Sequence, residues 1–224
     1  YRCEAASIQA IIAVHLDEVC QHVEAARPEC STLRYCITLG DRPGWLNLNA
    51  EMDRQPETFQ RPPQEELPTN DDLMLMYFTS GTTGAPKGVV TSHRAVIDYI
   101  DAFSEIARIT ADDVLGSQAP LDYVAALRDI YLPLKLGAQC VLLPKKLFSL
   151  PAGLFEALDA WKITTLCWVV PALCIPAKMN AFATRTPATV DKVFFTGSVM
   201  PAKYLRMWQQ ALPGARFVNH YGPT

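Results

Sequence analysis

The sequence predicts an α/β fold built largely on parallel sheets, and three observations support this. From Asp71 onward, short apolar runs alternate with amphipathic helical patterns, which is the order of β-α units around a parallel sheet. Residues typical of helix starts stand where these helical patterns begin. Pro201, for example, suits the first position of the last helix. Half of the 224 residues are hydrophobic and 19% are charged, a balance that provides enough apolar material for a sizeable core.

The first 70 residues have a mixed pattern. Residues 5–14 and 19–26 indicate short helices or buried strands, and residues 33–39 are β-like and lead into a turn at 40–44. Residues 55–70 hold four prolines among polar side chains. That composition predicts a surface connection rather than a core element.

The alternating region can be divided into individual elements. The predicted strands are 73–78, 88–91, 114–117, 139–143, 164–169, 192–195 and 216–219. The predicted helices are 93–106, 123–136, 154–162, 171–182 and 201–211. Ser92 and Asp122 stand before the first and second of these helices, where their side chains can cap the free backbone N–H groups.

Composition argues against several functional classes. The 20 basic and 23 acidic residues give a net charge of -3, and no Lys/Arg run indicates a nucleic-acid surface. The longest uncharged apolar stretch, 163–177, is too short for a membrane span and contains two prolines. The seven cysteines show neither a Cys-x-x-Cys pair nor zinc-ligand spacing. We therefore expect free thiols, a cytoplasmic location and no metal site built from cysteines.

A glycine-rich segment follows the strand predicted at 73–78. Residues 77–88 read Tyr-Phe-Thr-Ser-Gly-Thr-Thr-Gly-Ala-Pro-Lys-Gly. Glycines allow backbone N–H groups to approach an anion closely, four hydroxyls add neutral donors, and Lys87 adds a positive charge. Lys87 is followed by Gly88 and a second β-like run, so the segment is a loop between two strands rather than a Walker loop. These residue types suit a polyphosphate.

This segment resembles the phosphate-binding signature of the AMP-forming adenylate family, which includes acyl-CoA synthetases, luciferases, peptide-synthetase adenylation domains and D-alanine–carrier-protein ligases. The resemblance implies ATP and Mg²⁺ as cofactors. It also implies a set of phosphate-binding residues, of which Thr79 and Lys87 are catalytic: Thr79, Ser80, Gly81, Thr82, Thr83, Gly84 and Lys87.

Two further segments carry the resemblance. The last six residues, Asn-His-Tyr-Gly-Pro-Thr, are similar to the second nucleotide motif of the family, and residues 194–201 are similar to its strand-Gly-helix element. The implied nucleotide contacts, with Thr224 also catalytic, are Gly197, Asn219, His220, Tyr221, Gly222 and Thr224. The family has a magnesium-binding Glu immediately after this motif.

Residues 118–138 resemble the segment that forms one wall of the acyl pocket, although the usual Phe-Asp-x-Ser pattern is absent. The implied pocket residues are Asp122, Val124, Ala125, Arg128, Cys167, Phe194, Thr196 and His220.

The resemblance leaves several roles open. Asp122 is either a displaced partner for a substrate ammonium group or the cap of the following helix. Arg128 either meets an acidic group of the substrate, or pairs with Asp129 or solvent outside the pocket. His93 is either a plain helix-start residue or the counterpart of a histidine found in many acyl-CoA synthetases.

The predicted function is ATP-dependent activation of a carboxylic acid, such as an amino acid or a related small acid, to an acyl-adenylate. Thioester formation on the phosphopantetheine of a carrier protein then follows. One alternative is an acyl-CoA synthetase that transfers a fatty or aryl acid to CoA, and another is a nucleotide-binding module without chemistry.

The resemblance also implies that the chain is an interior piece of a larger ligase domain. Residues 1–70 would be part of its N-terminal portion, and 71–224 the ATP- and acyl-binding portion. The small C-terminal domain, with its catalytic lysine, would be absent, so we expect little adenylation by this chain alone.

Overall fold

The computed structural model describes residues 1–79, 84–121 and 123–220, and the side chain of residue 151 is also left undescribed. The chain divides into two compact units, Tyr1–His93 and Arg94–Thr224. The helices are α1 (Arg2–Ala5), α2 (Asp17–Ala26), α3 (Leu48–Asp53), α4 (His93–Ala107), α5 (Ala126–Leu136), α6 (Pro151–Ala160), α7 (Val170–Lys178) and α8 (Ala202–Ala211). The strands are β1 (Ala10–Ala13), β2 (Tyr35–Thr38), β3 (Leu46–Asn47), β4 (Leu73–Thr79), β5 (Lys87–Ser92), β6 (Val114–Ser117), β7 (Gln139–Leu142), β8 (Thr165–Val169), β9 (Lys192–Thr196) and β10 (Arg216–Asn219).

The first unit contains a small parallel sheet in the order β1-β2-β3. Cys30, Leu33 and Cys36 form its buried cluster. The Asn47 side chain caps α3 by accepting hydrogen bonds from the N–H groups of Asn49 and Ala50. The predicted turn at 40–44 is tied to α2, because the Arg42 guanidinium binds the carboxylates of Asp17 and Glu24, each at 2.7 Å.

The first unit also contains the hairpin β4–β5, whose strands are antiparallel. Its register places Thr79 opposite Lys87 and Phe78 opposite Gly88. The glycine-rich segment therefore lies between two strands, as the sequence predicted.

The second unit is built on a five-stranded sheet in the order β10-β9-β8-β6-β7, with every pair parallel. The predicted α/β class with largely parallel sheets is confirmed. Each strand and helix predicted from residue 71 onward is present, with most ends moved by three residues or fewer. Parallel strands buried on both faces read as continuous apolar runs, which made them visible in the sequence.

Three of the helix ends that differ from the prediction have a clear structural reason. The helix predicted from Tyr123 begins at Ala126, because the preceding residues form a turn in which Ala126 N–H donates to the Tyr123 carbonyl at 2.9 Å. Its N-cap position is Ala125, and Asp122, the cap considered from the sequence, lies outside the described residues. The helix predicted over 171–182 ends at Lys178, because Asn180 adopts a left-handed conformation with φ 54°. Pro201 is the N-cap of α8 rather than its first helical residue.

The core of the second unit lies where α6, α7 and α8 pack around β8 and β9. Its largest fully buried side chains include Trp168, Trp208 and Phe155. Both indole N–H groups are satisfied, since Trp168 donates to the Gly116 carbonyl at 2.7 Å and Trp208 to the Leu173 carbonyl at 2.8 Å. Burying the aromatic rings without leaving an unpaired donor is strongly stabilising.

A polar cluster ties together the amino ends of β6, β8 and β9. Asp113 accepts hydrogen bonds from the ammonium of Lys192 and the hydroxyl of Thr164, each at 2.7 Å. Burial opposes ionisation of Asp113, but Lys192, the Thr110 N–H group and Thr164 together lower the pKa of that carboxyl. The cluster therefore stays ionised and bonded, which fixes the strands at the end of the sheet opposite the candidate site.

None of the described helices combines the length and the apolar character needed to cross a bilayer.

Candidate active site

The glycine-rich segment lies in the first unit. Thr79 is the last residue of β4 and is half-buried, and Lys87 is the exposed first residue of β5. Ser80, Gly81, Thr82 and Thr83 lie outside the described residues. The strand register thus places a hydroxyl residue and a lysine opposite each other, next to the glycine-rich segment.

Two positions at this loop require glycine, each for a different structural reason. Gly84 has φ 153°, a conformation that side chains rarely adopt, with open space around it. Gly88 is needed for packing, since a Cβ there would lie 2.8 Å from the Met76 sulfur. Gly84 is therefore needed for its backbone conformation, and Gly88 for the close contact between the two strands.

Aromatic and charged side chains hold the base of this loop. The Tyr1 hydroxyl donates to the Pro86 carbonyl at 3.0 Å, and its ring meets the Phe78 ring edge-on at 6.4 Å between centroids. The Arg2 guanidinium lies 5.6 Å from the centre of the same Phe78 ring. These contacts fix both strands where they enter and leave the glycine-rich segment.

In the second unit, the candidate site residues lie at the carboxyl edge of the parallel sheet. Because the strands are parallel, their last residues line one edge, which is where open α/β sheets bind ligands. Ser117, Val169, Thr196 and Asn219 are the last residues of β6, β8, β9 and β10. Gly197 follows β9 with φ 94°, so the backbone turns there in a conformation that glycine adopts without strain.

An aromatic cluster lies at this edge. The Phe103 ring of α4 lies 5.6 Å from the Phe194 ring and 5.1 Å from the His220 ring, and Phe194 lies 5.4 Å from His220. The His220 N–H group donates to the Phe195 carbonyl at 2.8 Å, which fixes the histidine backbone against β9. Phe194 and His220, two predicted pocket residues, are thus in contact, and Phe103 completes the group.

Arg128 is the charged group of this cluster. Its side chain is on α5, only 3% of the residue is exposed, and its guanidinium carbon lies 5.5 Å from the centre of the Phe103 ring. The Nε atom has no hydrogen-bond partner among the described residues. The alternative that Arg128 points to solvent is therefore wrong.

Asp129 and Ser117 are buried beside Arg128 and were not predicted as site residues. Both carboxyl oxygens of Asp129 and the hydroxyl of Ser117 lack a partner of good hydrogen-bond geometry among the described residues. Burial raises the pKa of Asp129 to about 6, and the nearby Ser117 hydroxyl and Arg128 guanidinium oppose that rise without cancelling it. The adjacent charged residues Arg128 and Asp129 in a mostly apolar helix were a sequence signal that could have identified Asp129, whereas no local pattern marks Ser117.

Titration of the remaining groups limits the chemistry they can perform. Burial lowers the pKa of His220, and the Arg128 and Arg216 guanidinium groups lower it further, so its imidazole is neutral at pH 7. Burial raises the pKa of the Cys167 thiol to about 12 and that of the Cys140 thiol to about 11. All seven cysteines are free thiols, and these two are too weakly acidic to act as nucleophiles.

The other predicted residues have definite positions. Cys167 of β8 is paired in register with Phe194 of β9, and Val169 with Thr196. Val124 and Ala125 are half-buried in the turn before α5, and His93 is the first residue of α4. The predicted residues Asp122, Tyr221, Gly222 and Thr224 lie outside the described part of the chain.

A mostly apolar cavity of about 470 Å³ lies at the ends of β6, β7 and β8. Leu142, Phe148, Val169 and Ile175 are among its apolar walls, and Ser117, Gln118 and Lys145 provide polar groups. Its volume and walls suit an alkyl or aryl group.

Within the described ranges, no group of three or more His, Cys, Asp or Glu side chains is arranged to hold a metal ion.

Comparisons with known proteins agree with this geometry. The family model described as AMP-binding enzyme matches residues 1–224. A curated relative, the L-proline–[L-prolyl-carrier protein] ligase of Pseudomonas fluorescens, is 29% identical over 154 residues, which cover 69% of this chain and 31% of the relative. Tyrocidine synthase 3 of Brevibacillus parabrevis is 32% identical over 155 residues, which cover 69% of this chain and 2% of the relative.

Enterobactin synthase component F of Escherichia coli is 29% identical over 186 residues, which cover 80% of this chain and 14% of the relative. The chain therefore spans less than a third of each of these relatives. Among solved structures, the anthranilate CoA ligase AuaEII in complex with anthranoyl-AMP matches all of this chain and 42% of its own, with a TM-score of 0.86 at 18% identity. At that identity the likeness shows a shared fold.

Proposed function

Since the chain belongs to the family of AMP-binding enzymes, we propose that the protein activates a carboxylic acid with ATP. One carboxylate oxygen of the acid attacks the α-phosphorus of ATP, the bond from that phosphorus to the bridging oxygen of pyrophosphate breaks, and an acyl-adenylate and pyrophosphate result. The observation that carries this proposal is the family match along the whole chain.

The main difficulty of this reaction is charge, because a negative carboxylate must approach a negative phosphate. Lys87 and Thr79, at the two ends of the glycine-rich loop, offset that repulsion by binding phosphate oxygens. Gly84 allows the loop backbone to follow a path that other residues disfavour. We include Ser80, Gly81, Thr82 and Thr83 in the same role on the strength of the sequence motif.

The carboxyl edge of the five-stranded sheet provides the proposed nucleotide and acyl contacts. Gly197 leaves space for a ligand against the backbone, and the exposed Asn219 offers amide hydrogen bonds to a base. His220 packs beside the ligand as a neutral ring rather than as a base. The proposed pocket also includes Val124, Ala125, Cys167, Phe194 and Thr196, and Tyr221, Gly222 and Thr224 complete the nucleotide contacts by resemblance.

The activated acyl group requires a thiol acceptor, and the thiols of this chain are poor candidates. Burial raises the pKa of Cys167 to about 12, which leaves almost no thiolate at neutral pH. We propose the phosphopantetheine thiol of a carrier protein as the acceptor. The relative named as an L-prolyl-carrier protein ligase supports this choice.

A second candidate function is the transfer of an apolar acid to CoA. It is favoured by the cavity of about 470 Å³ at the ends of β6, β7 and β8, whose walls are mostly alkyl and aryl groups. A fatty or aryl acid would fill such a space, whereas a small polar acid would leave it to water.

Carboxylate-dependent exchange of labelled pyrophosphate into ATP tests the activation step. The complete gene product is assayed with amino, hydroxy, aryl, dicarboxylic and fatty acids, and we expect exchange with at least one class. Transfer to CoA or to a carrier protein then separates the two candidate functions. Binding of ATP without exchange for any acid would indicate a nucleotide-binding module and contradict the proposal.

Substitution of Lys87 tests the role of the loop. Lys87→Ala should lower the exchange rate by about 100-fold, because one preorganised electrostatic contact to the reacting phosphates is lost. Lys178→Ala, at the exposed end of α7, is the matched control and should leave the rate unchanged. An unchanged rate for Lys87→Ala would remove Lys87 from the mechanism.

A further inference from the structure

Buried polar atoms without partners are concentrated at one place in the described residues. They belong to Ser117, Arg128, Asp129 and His220, all in the second unit. Ser117 ends β6, His220 follows β10, and Arg128 and Asp129 are in the first turn of α5. Buried polar groups in folded proteins are normally hydrogen-bonded. A group of unpaired ones at the carboxyl edge of a sheet therefore indicates a place where a polar ligand binds.

Arg128 determines the charge of this place. A guanidinium group stays protonated in proteins, so its burial places a fixed positive charge within the fold. Its contact with the face of Phe103 stabilises the charge but uses none of its N–H donors. The Nε–H group in particular remains available to an acceptor.

The described residues around Arg128 do not neutralise it through a hydrogen bond. Asp129 is adjacent in the chain, yet both of its carboxyl oxygens are without a partner. With a pKa of about 6, Asp129 is mostly ionised at neutral pH, so it attracts the guanidinium through space but makes no hydrogen bond to it. The buried Nε2 atom of His220 is likewise without a partner among the described residues.

We propose that the acid activated by this protein carries a second carboxylate, and that Arg128 binds this second carboxylate beside Phe103, Phe194 and His220. The substrate class is thus the dicarboxylic acids, including acidic amino acids. This inference rests on the proposed function. A planar guanidinium matches a carboxylate with two parallel hydrogen bonds, and the aromatic rings keep water away from that pair.

The same argument disfavours other substrates. A neutral side chain would leave the buried guanidinium without a hydrogen-bonded counter-charge, and an ammonium group beside it would be repelled. A site built to hydrogen-bond one group of the substrate strongly rejects an analogue that lacks this group. An apolar pocket discriminates much less between substrates that differ only in chain length.

The test is pyrophosphate exchange by the complete gene product with matched pairs of acids: aspartate and asparagine, glutamate and glutamine, succinate and succinamate. Within at least one pair we expect the dicarboxylate to have a kcat/KM higher than its amide by at least 100-fold. Arg128→Met should lower the dicarboxylate value by about the same factor while leaving exchange with the amide within about 10-fold of the unchanged protein. Arg128→Lys should restore part of the preference, and Arg206→Met, at an exposed position of α8, is the control.

The outcomes separate the inference from the proposed function. Exchange with neutral amino, aryl or fatty acids but not with dicarboxylates would overturn the inference and leave the proposed function standing. Dicarboxylate exchange that Arg128→Met does not alter would also overturn it. If no acid supports exchange, both fall. Retained exchange with the amides in Arg128→Met shows that the variant is folded, so a selective loss with the dicarboxylates supports the assignment.

Discussion

At the scale of single residues, the burial of Asp129 makes the stability of the fold depend on pH. Because burial raises the pKa of its carboxyl to about 6 from an ordinary value of 3.8, the folded chain holds this proton more tightly than the unfolded chain does. The contribution of Asp129 to stability is therefore greatest below pH about 4 and is lost as the pH rises to about 6. Above that range, folding must bury a carboxylate without a hydrogen-bond partner among the described residues.

Asp129→Asn should remove this penalty. We expect the variant to be more stable than the unchanged protein at pH 8, by roughly 1–3 kcal/mol, and to lose the decrease in stability between pH 4 and pH 6. Urea unfolding at pH 4, 5, 6 and 8 measures both effects. Asp112→Asn changes an exposed carboxyl of the same unit and is the control. A loss of stability at pH 8 for Asp129→Asn would show that this carboxylate has a favourable partner.

The residues of the candidate site differ in how visible they are in sequence. Phe194, Thr196 and His220 belong to local motifs, so their positions could be predicted. Ser117 and Phe103 join the site only because β6 and α4 pack beside β9 and β10, and no short motif records that packing. Long-range contacts of this kind follow from the order and packing of the strands and helices. The local sequence pattern predicts the fold class but not that packing.

At the scale of elements, helix ends depend on the conformation of individual residues. Gly137 ends α5 with φ 73°, and its N–H group donates to the Pro133 carbonyl at 2.9 Å. A Cβ at Gly137 would meet nothing within 4 Å, so backbone conformation alone opposes a side chain there. Gly153 lies inside α6, where a Cβ would make only an ordinary contact of 3.9 Å with Leu150.

These two glycines should respond to alanine in opposite directions. Gly137→Ala should lower the free energy of unfolding by about 1 kcal/mol, because a left-handed conformation is unfavourable for alanine. Gly153→Ala should raise it by roughly 0.5–1 kcal/mol, because alanine favours the helix. Chemical denaturation of both variants under one set of conditions measures the difference. A change of the same sign in both would contradict this account.

The strands and helices from residue 71 onward were predictable because their apolar runs have the length and spacing of buried elements. The exceptions share a physical cause. The turn before α5 is held by backbone hydrogen bonds three residues apart, which the side-chain pattern does not reveal. Asn180 ends α7 through its backbone conformation, although the apolar pattern continues to Phe182.

At the scale of the whole molecule, the two units differ in how much they bury. In the second unit, four of the five residues of β8 and of β9 are buried, and a large core surrounds them. In the first unit, one residue of β1 and two of β2 are buried. Local stability follows the burial of apolar contacts, so the small sheet should open more readily than the large one.

Amide hydrogen exchange measured by mass spectrometry on the native protein tests this difference. Peptides that cover β1 and β2 should exchange at least 10-fold faster than those that cover β8 and β9, because an opening free energy lower by about 1.4 kcal/mol raises exchange tenfold. Equal protection in the two sheets would contradict the prediction.

Strand β9 serves two surfaces at once. Val193 and Phe195 belong to the buried core, whereas Phe194 on the other face contacts Phe103 and His220. Inserting or deleting one residue here would exchange the two faces and bring core side chains into the binding pocket. In the proposed pocket, point substitutions at Phe194 and Thr196 should therefore change substrate choice without disturbing the core, while length variation among homologues should be confined to the connections outside this strand.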